Sequence, residues 1–169
     1  KASFAYDGAH GWNTEWPRIR NVGTRENPDM LMTMHGMFWR FPHTFTSQNT
    51  TGITPRGAYL KVIGDFTEWN GRLVFGCDDS AQSEFLNKRR QKGNIGGTGQ
   101  SNSNIWFGDI STPDNVGPTT AAGSLWLKEQ VEAGMPSDPF LFAGWDNRCA
   151  WMANRSDKDA TITFEVDKK

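Results

Sequence analysis

The sequence predicts an all-β protein made of short antiparallel strands. Eighteen glycines and eight prolines among 169 residues indicate many turns, whereas long Ala, Leu, Glu and Lys tracts, which are typical of helices, are scarce. Apolar residues instead occur in short stretches bounded by turn residues, a pattern typical of strands. The Asn70-Gly71 pair between two such stretches is a strong hairpin signal, because both residues accept a positive φ in a type I′ turn.

The first half of the chain shows its elements in the following order. Residues 1–27 are polar and aromatic without clean periodicity, which predicts irregular structure. Residues 30–41 are apolar around Gly36, which favours two short strands or one bent strand over a helix. Residues 58–66 and 71–77 then form the two strands of the Asn-Gly hairpin.

The second half alternates loops and strands. Residues 80–92 have modest helical character, and residues 93–103, rich in Gly, Asn and Ser, predict an exposed loop. The last apolar stretch alternates cleanly, which predicts a half-exposed outer strand. The strands predicted in this half are 105–107, 125–127, 140–143, 148–153 and 161–166.

A faint internal similarity links the hairpin to a later part of the chain. Residues 64–80 and 144–157 each begin at a Gly, pass an aromatic-and-Asn turn and end in a polar turn, with Arg72 matched to Arg148. Either the match arises by chance or one supersecondary unit is used more than once, which would suit the blades of a β-propeller.

Residues 58–77 and 138–167 also resemble the blades of β-propeller domains in secreted bacterial proteins that handle polysaccharides. The resemblance covers about half of the chain and brings no catalytic motif. It implies propeller-like blades, a poly- or oligosaccharide partner and an extracytoplasmic location, whether secreted, periplasmic or at the cell surface.

Chain length leaves two architectures open for the single predicted domain, 1–169. A propeller needs at least four blades of roughly 40–50 residues, and this length holds about three or barely four. The domain is therefore expected to be part of a longer propeller, with open strand edges that would meet a second copy or the remainder of a parent chain. The alternative is a two-sheet β-sandwich.

Charge and hydropathy exclude several classes of partner. Eighteen basic and nineteen acidic residues give a net charge of −1, so no strong basic surface for nucleic acid or anionic membrane is expected. No stretch approaches the ~20 apolar residues of a membrane span.

Acidic residues near strand ends are the candidate catalytic groups. Asp78 and Asp79 could act as the acid and base of a glycoside hydrolase, which needs two carboxylates at a defined separation. They could also bind Ca²⁺ as a cofactor through their carboxylate oxygens, or simply start a turn and cap the residues that follow. Asp65, directly after Gly64 in the hairpin, is the third candidate, with plain solvent exposure as its alternative.

Aromatic and polar residues supply the candidate ligand-binding surface. Trp69 and Trp145 lie at predicted turns, where an exposed indole could stack on a sugar ring. Trp39 and Arg40, with His35 nearby, form a second polar-aromatic group, although a single His beside an apolar strand is more often simply packed. No metal-site, nucleophile-elbow or phosphate-loop motif occurs.

These observations favour an extracytoplasmic β domain that recognises carbohydrate. A glycan-cleaving enzyme using two of the carboxylates is the first alternative, so enzymatic activity stays open. A structural module that associates through open strand edges is the second.

Overall fold

The computed structural model describes residues 17–59, 62–78, 104–126 and 129–166. The predicted helical turn at 80–92 and the predicted loop at 93–103 lie outside these ranges. Residues 1–16 of the N-terminal segment, which was predicted to be irregular, also lie outside them, whereas the described part of that segment contains a strand, Arg18–Asn21.

Four antiparallel strands form sheet A in their sequence order. His35 and Gly36 connect the second and third strands with φ values of 50° and 75°, the conformation of a two-residue type I′ hairpin. Residues 30–41 are therefore two strands rather than one bent strand. The strands of sheet A are β1 (Arg18–Asn21), β2 (Met30–Met34), β3 (Met37–Arg40) and β4 (Thr54–Ala58).

Three antiparallel strands form sheet B, also in sequence order. Asn70 and Gly71 have φ values of 51° and 78°, which confirms the predicted Asn-Gly hairpin. The first strand runs to Trp69, which pairs with Arg72 directly beside the turn, and begins at Val62 rather than at the predicted residue 58, because Ala58 belongs to sheet A. The strands are β5 (Val62–Trp69), β6 (Arg72–Asp78) and β7 (Asn104–Asp109), and a 3₁₀ helix (Thr112–Asp114) follows.

The main core lies between the two sheets. Phe38 of sheet A lies 5.4 Å from Phe75 of sheet B, measured between ring centroids. Phe66, Phe75 and Trp106 form an aromatic row across β5, β6 and β7, with centroid separations of 5.7 and 4.7 Å. Directly opposed residues share one face of a sheet, so this row is the inner face of sheet B. The buried residues of this core are Val22, Leu31, Phe38, Tyr59, Ile63, Phe66, Leu73, Phe75 and Cys77.

A second apolar cluster covers the other face of sheet A. It consists of Met32, Met37 and Trp39, which alternate along β2 and β3 with the residues of the main core. Leu141 and Trp145 of the C-terminal segment pack against it. This contact attaches the C-terminal segment to sheet A.

The strands predicted in the C-terminal part are not present. Residues 125–126 and 129–166 contain no strand, although 140–143, 148–153 and 161–166 have strand-like sequences. A strand is stable only when its backbone groups are paired, and alternation in the sequence does not supply the partner. Trp151, which lies in the predicted strand 148–153, is 82% exposed.

The described residues thus form an all-β fold of two antiparallel sheets, with four and three strands. Within them the sheets close into neither a barrel nor a propeller. The same residues contain no helix with the length and apolar character of a membrane span.

Candidate functional site

The face of sheet B that points away from the core is the candidate site, and we call it the outer face. Pairing across the sheet defines its three rows of side chains, because directly opposed residues point to the same side. The rows are Trp69, Arg72 and Asp109; Thr67, Val74 and Phe107; and Asp65, Gly76 and Ile105.

The outer face is apolar at its centre and exposed to solvent. Trp69 is 61% exposed, Phe107 45% and Ile105 65%. Gly76 carries no side chain, so nothing projects from the sheet between Asp65 and Ile105. Exposed aromatic rings on a flat sheet are the kind of surface on which a ring-shaped ligand can stack.

Arg72 connects two rows of the outer face. Its guanidinium carbon lies 5.6 Å from the centre of the Phe107 ring, a cation–π geometry. Asp109 is its neighbour across the strands, yet within the described ranges no carboxylate lies within ion-pair distance of Arg72. Its guanidinium N–H groups can therefore serve a ligand.

Asp65, the candidate carboxylate of the hairpin, lies at the edge of the same face. One carboxylate oxygen accepts a 2.8 Å hydrogen bond from Nη2 of Arg20 in β1, and the other accepts one from the Phe66 backbone N–H. Its side chain remains about half exposed. These bonds fix the carboxylate and balance its charge, which suits a role in holding a hydroxyl.

Trp39 and Trp145 lie on the opposite side of the molecule, in the cluster on sheet A. Trp39 is fully buried and its indole N–H donates to the Met34 carbonyl at 3.2 Å. Trp145 packs edge-on against it with centroids 6.1 Å apart. Because Trp39 exposes no ring surface, a stacking role for it does not fit its position. The buried Nε1 of Trp145 has no hydrogen-bond partner among the described residues.

His35 and Arg40 lie at opposite ends of β3. His35 occupies the β2–β3 turn, where burial lowers the pKa of its imidazole. Arg40 is half exposed, with Nη1 3.6 Å from Oδ1 of Asp29. Arg40 thus lies beside Asp29 at one end of the strand, and His35 lies at the other end.

The Asp78–Asp79 pair is only partly covered by the described chain. Asp78 ends β6 opposite Val62, and Asp79 lies outside the described residues. The distance between the Asp78 and Asp79 carboxylates, which a glycoside hydrolase mechanism would require, is therefore not defined by the described residues. In the ranges described, no group of three or more potential metal ligands occurs.

The sequence pattern alone does not mark Arg72 or Phe107 as ligand-binding residues. Arg72 matches Arg148 in the internal similarity, and Phe107 belongs to a predicted strand. The Asn-Gly turn fixes Trp69 opposite Arg72, so the register of the hairpin already places these two side chains on one face. Phe107 and Asp109 join this face through the pairing of β6 with β7. These two strands are far apart in the sequence, and a single sequence carries no pattern that predicts their pairing.

No family model, curated protein or solved structure matches the sequence. The candidate site is therefore defined by its geometry alone.

Proposed function

We propose that the protein recognises carbohydrate through the outer face of sheet B. The observation that carries this proposal is the exposed Trp69 indole in one row with Arg72 and Asp109. Sugars present an apolar ring face and several hydroxyl groups, so they need an aromatic surface beside hydrogen-bond donors and acceptors. Trp69 and Phe107 supply the rings, and Arg72, Asp65 and Asp109 supply the polar groups.

We also propose that the domain consists of propeller-like blades and is located outside the cytoplasm. Sheet A has four antiparallel strands in sequence order, the composition of one propeller blade. Sheet B has three strands in the same order and packs against sheet A through the main core. Two successive blades of a propeller would have this arrangement.

Titration of the protein with a panel of soluble glycans, followed by isothermal calorimetry, tests carbohydrate recognition. We expect a glycan that binds the wild-type protein to bind Trp69→Ala at least about tenfold more weakly, equivalent to ~1.4 kcal/mol. Trp151→Ala is the matched control, because Trp151 is 82% exposed and lies in the C-terminal segment.

Equal binding by the wild-type protein and the Trp69→Ala variant would contradict the assignment of the outer face. Turnover of a bound glycan that is lost in Asp78→Asn or Asp79→Asn, with folding intact, would instead favour the glycan-cleaving enzyme.

A second candidate function, association through open strand edges, is favoured by residues 161–166. Ile162, Phe164 and Val166 alternate with polar residues and are 51%, 67% and 57% exposed. Their backbone makes no hydrogen bond to any part of the chain that the structure describes. Such a segment can add to the edge of another sheet, in a second copy or in the remainder of a parent chain.

Light scattering over a range of protein concentrations tests this second function. We expect the mass to rise with concentration and Phe164→Lys to abolish the rise, whereas a concentration-independent monomer mass would exclude self-association through this segment.

A further inference from the structure

We propose that the ligand of the outer face is an acidic glycan, bearing carboxylate or sulfate groups, and that Arg72 binds its negative charge. This inference rests on the proposed carbohydrate recognition and adds the chemical class of the glycan.

Arg72 occupies the middle strand between the two exposed aromatic rings. It is paired directly with Trp69 of β5, and its guanidinium lies over the ring of Phe107 of β7. Neighbouring strands are about 4.8 Å apart, so two residues on β5 and β7 are separated by roughly 10 Å across the sheet. A chain of sugars spanning both rings would pass directly over Arg72.

Charge distinguishes Arg72 from the arginines that serve the fold. Arg20 is paired with Asp65 at 2.8 Å, and Arg56 with Asp29 at 2.9 Å and with Asp114 at 2.7 Å. Arg72 is exposed and lies outside the ion-pair distance of every carboxylate in the described ranges. An exposed guanidinium without an ion-pair partner can donate two parallel hydrogen bonds from its planar N–H groups to a carboxylate or sulfate group.

The acidic residues of the outer face restrict where the negative group can lie. The charge of Asp65 is balanced by Arg20, whereas Asp109 lies opposite Arg72 at the end of the sheet. Because Asp109 repels an anion, the acidic group of the glycan is placed on the Phe107 side of Arg72, toward the centre of the face. Asp109 then accepts a hydrogen bond from a hydroxyl of a neighbouring sugar.

Two pairs of polymers test the inference, each pair differing in charge on one backbone. Polygalacturonate and its fully methyl-esterified form test carboxylates, and dextran sulfate and dextran test sulfates. We expect the wild-type protein to bind one charged polymer at least about tenfold more tightly than its neutral counterpart in calorimetry at low salt, with a smaller ratio at high salt. We expect Arg72→Gln to lose this preference and Arg72→Lys to retain part of it.

Arg148→Gln is the matched control, because Arg148 also lies over an aromatic ring, 5.4 Å from the centre of Phe142, but outside sheet B. It is expected to keep the full preference for the charged polymer. Circular dichroism and thermal unfolding confirm that each variant is folded.

Three results would overturn the inference, and they differ in whether the proposed carbohydrate recognition is also contradicted. Equal affinity for charged and neutral polymers removes the acidic class and leaves carbohydrate recognition intact. An equal loss of affinity in Arg72→Gln and Arg148→Gln assigns the preference to overall surface charge rather than to the outer face. Absence of binding to all four polymers and to a wider glycan panel removes the proposed function together with the inference.

Discussion

Arg56 of β4 donates two hydrogen bonds to the carboxylate of Asp114 in the 3₁₀ helix, from Nε at 2.8 Å and from Nη2 at 2.7 Å. Its Nη1 donates to both oxygens of Asp29, at 2.9 and 3.2 Å. The Arg56 side chain is only 5% exposed, so its charge is stabilised by these two carboxylates. The neighbouring Gly57 lets the chain after β7 approach closely, since a Cβ there would meet Val116 at 2.5 Å. Sheet A is thereby joined to the segment that follows sheet B.

Replacing Arg56 by Met is expected to lower the free energy of unfolding by about 2–3 kcal/mol, because two partly exposed carboxylates lose the hydrogen bonds of a buried partner. Urea unfolding at neutral pH measures the loss. Arg40→Met is the control, because Arg40 is half exposed and 3.6 Å from Asp29, and its loss should cost less than about 1 kcal/mol. Comparable losses in the two variants would contradict a dominant role for Arg56.

Acid is expected to weaken the fold through Asp114. The hydrogen bonds from Arg56 lower the pKa of this carboxyl below its usual value of 3.8. The ionised form therefore contributes stability that is fully present above pH 3.8 and is lost as the pH falls through the lowered pKa. The effect is modest because the side chain is about half exposed.

Unfolding free energies of the wild-type protein and Asp114→Asn between pH 5 and about pH 2 test this prediction. The difference between the two proteins should shrink as the pH falls below 3.8. A constant difference across the range would show that ionisation of Asp114 does not stabilise the fold.

Protonation of His35 is expected to destabilise the fold at mildly acidic pH. Burial lowers the pKa of His35 below its usual value of 6.5, so the unfolded chain takes up a proton at a higher pH than the folded one. Stability is therefore complete above pH 6.5 and falls as the pH drops from there through the lowered pKa. His35→Asn, which tolerates a positive φ, should reduce this slope.

His43→Asn is the control for the His35 prediction, because His43 is exposed in a turn outside the hairpin. Chemical unfolding at several pH values between about 5 and 7.5 compares the three proteins. An unchanged slope in His35→Asn would assign the pH dependence to other groups.

The Asn-Gly hairpin offers a direct measure of backbone strain. Gly71 has a φ of 78°, and a Cβ added there would meet nothing within 4 Å, so Gly71→Ala changes only the backbone preference. We expect a loss of about 1–2 kcal/mol in the free energy of unfolding. Gly64→Ala is the control, since Gly64 has no positive φ and an added Cβ would be 3.7 Å from the Gly76 carbonyl oxygen. Thermal unfolding of both variants should show a lower midpoint for Gly71→Ala alone.

Local chemistry made the hairpins predictable. The turns at Asn70-Gly71 and at Gly36 depend only on adjacent residues. Two successive residues with a positive φ are compatible with few structures other than a tight hairpin turn. Burial of Trp39 is not predictable from the local sequence, since part of its cover comes from Trp145, more than a hundred residues later. The absence of the C-terminal strands has the same origin: residues 161–166 alternate as a strand does, but pairing depends on an element elsewhere.

The candidate site was predictable in part for the same reason. Trp69 was selected because it lies beside a turn, and its exposure agrees with that position. Phe107 joins it only through the pairing of β6 with β7, a contact that no local pattern encodes.

The two cysteines differ sharply in their surroundings, with Cys77 buried in the main core and Cys149 exposed in the C-terminal segment. A thiol reagent should consequently modify Cys149 at once and reach Cys77 only when sheet B separates from sheet A. In the Cys149→Ser variant, the labelling rate of Cys77 therefore measures how often the two sheets separate. A labelling rate that falls as the glycan concentration rises would show that ligand binding stabilises the contact between the sheets.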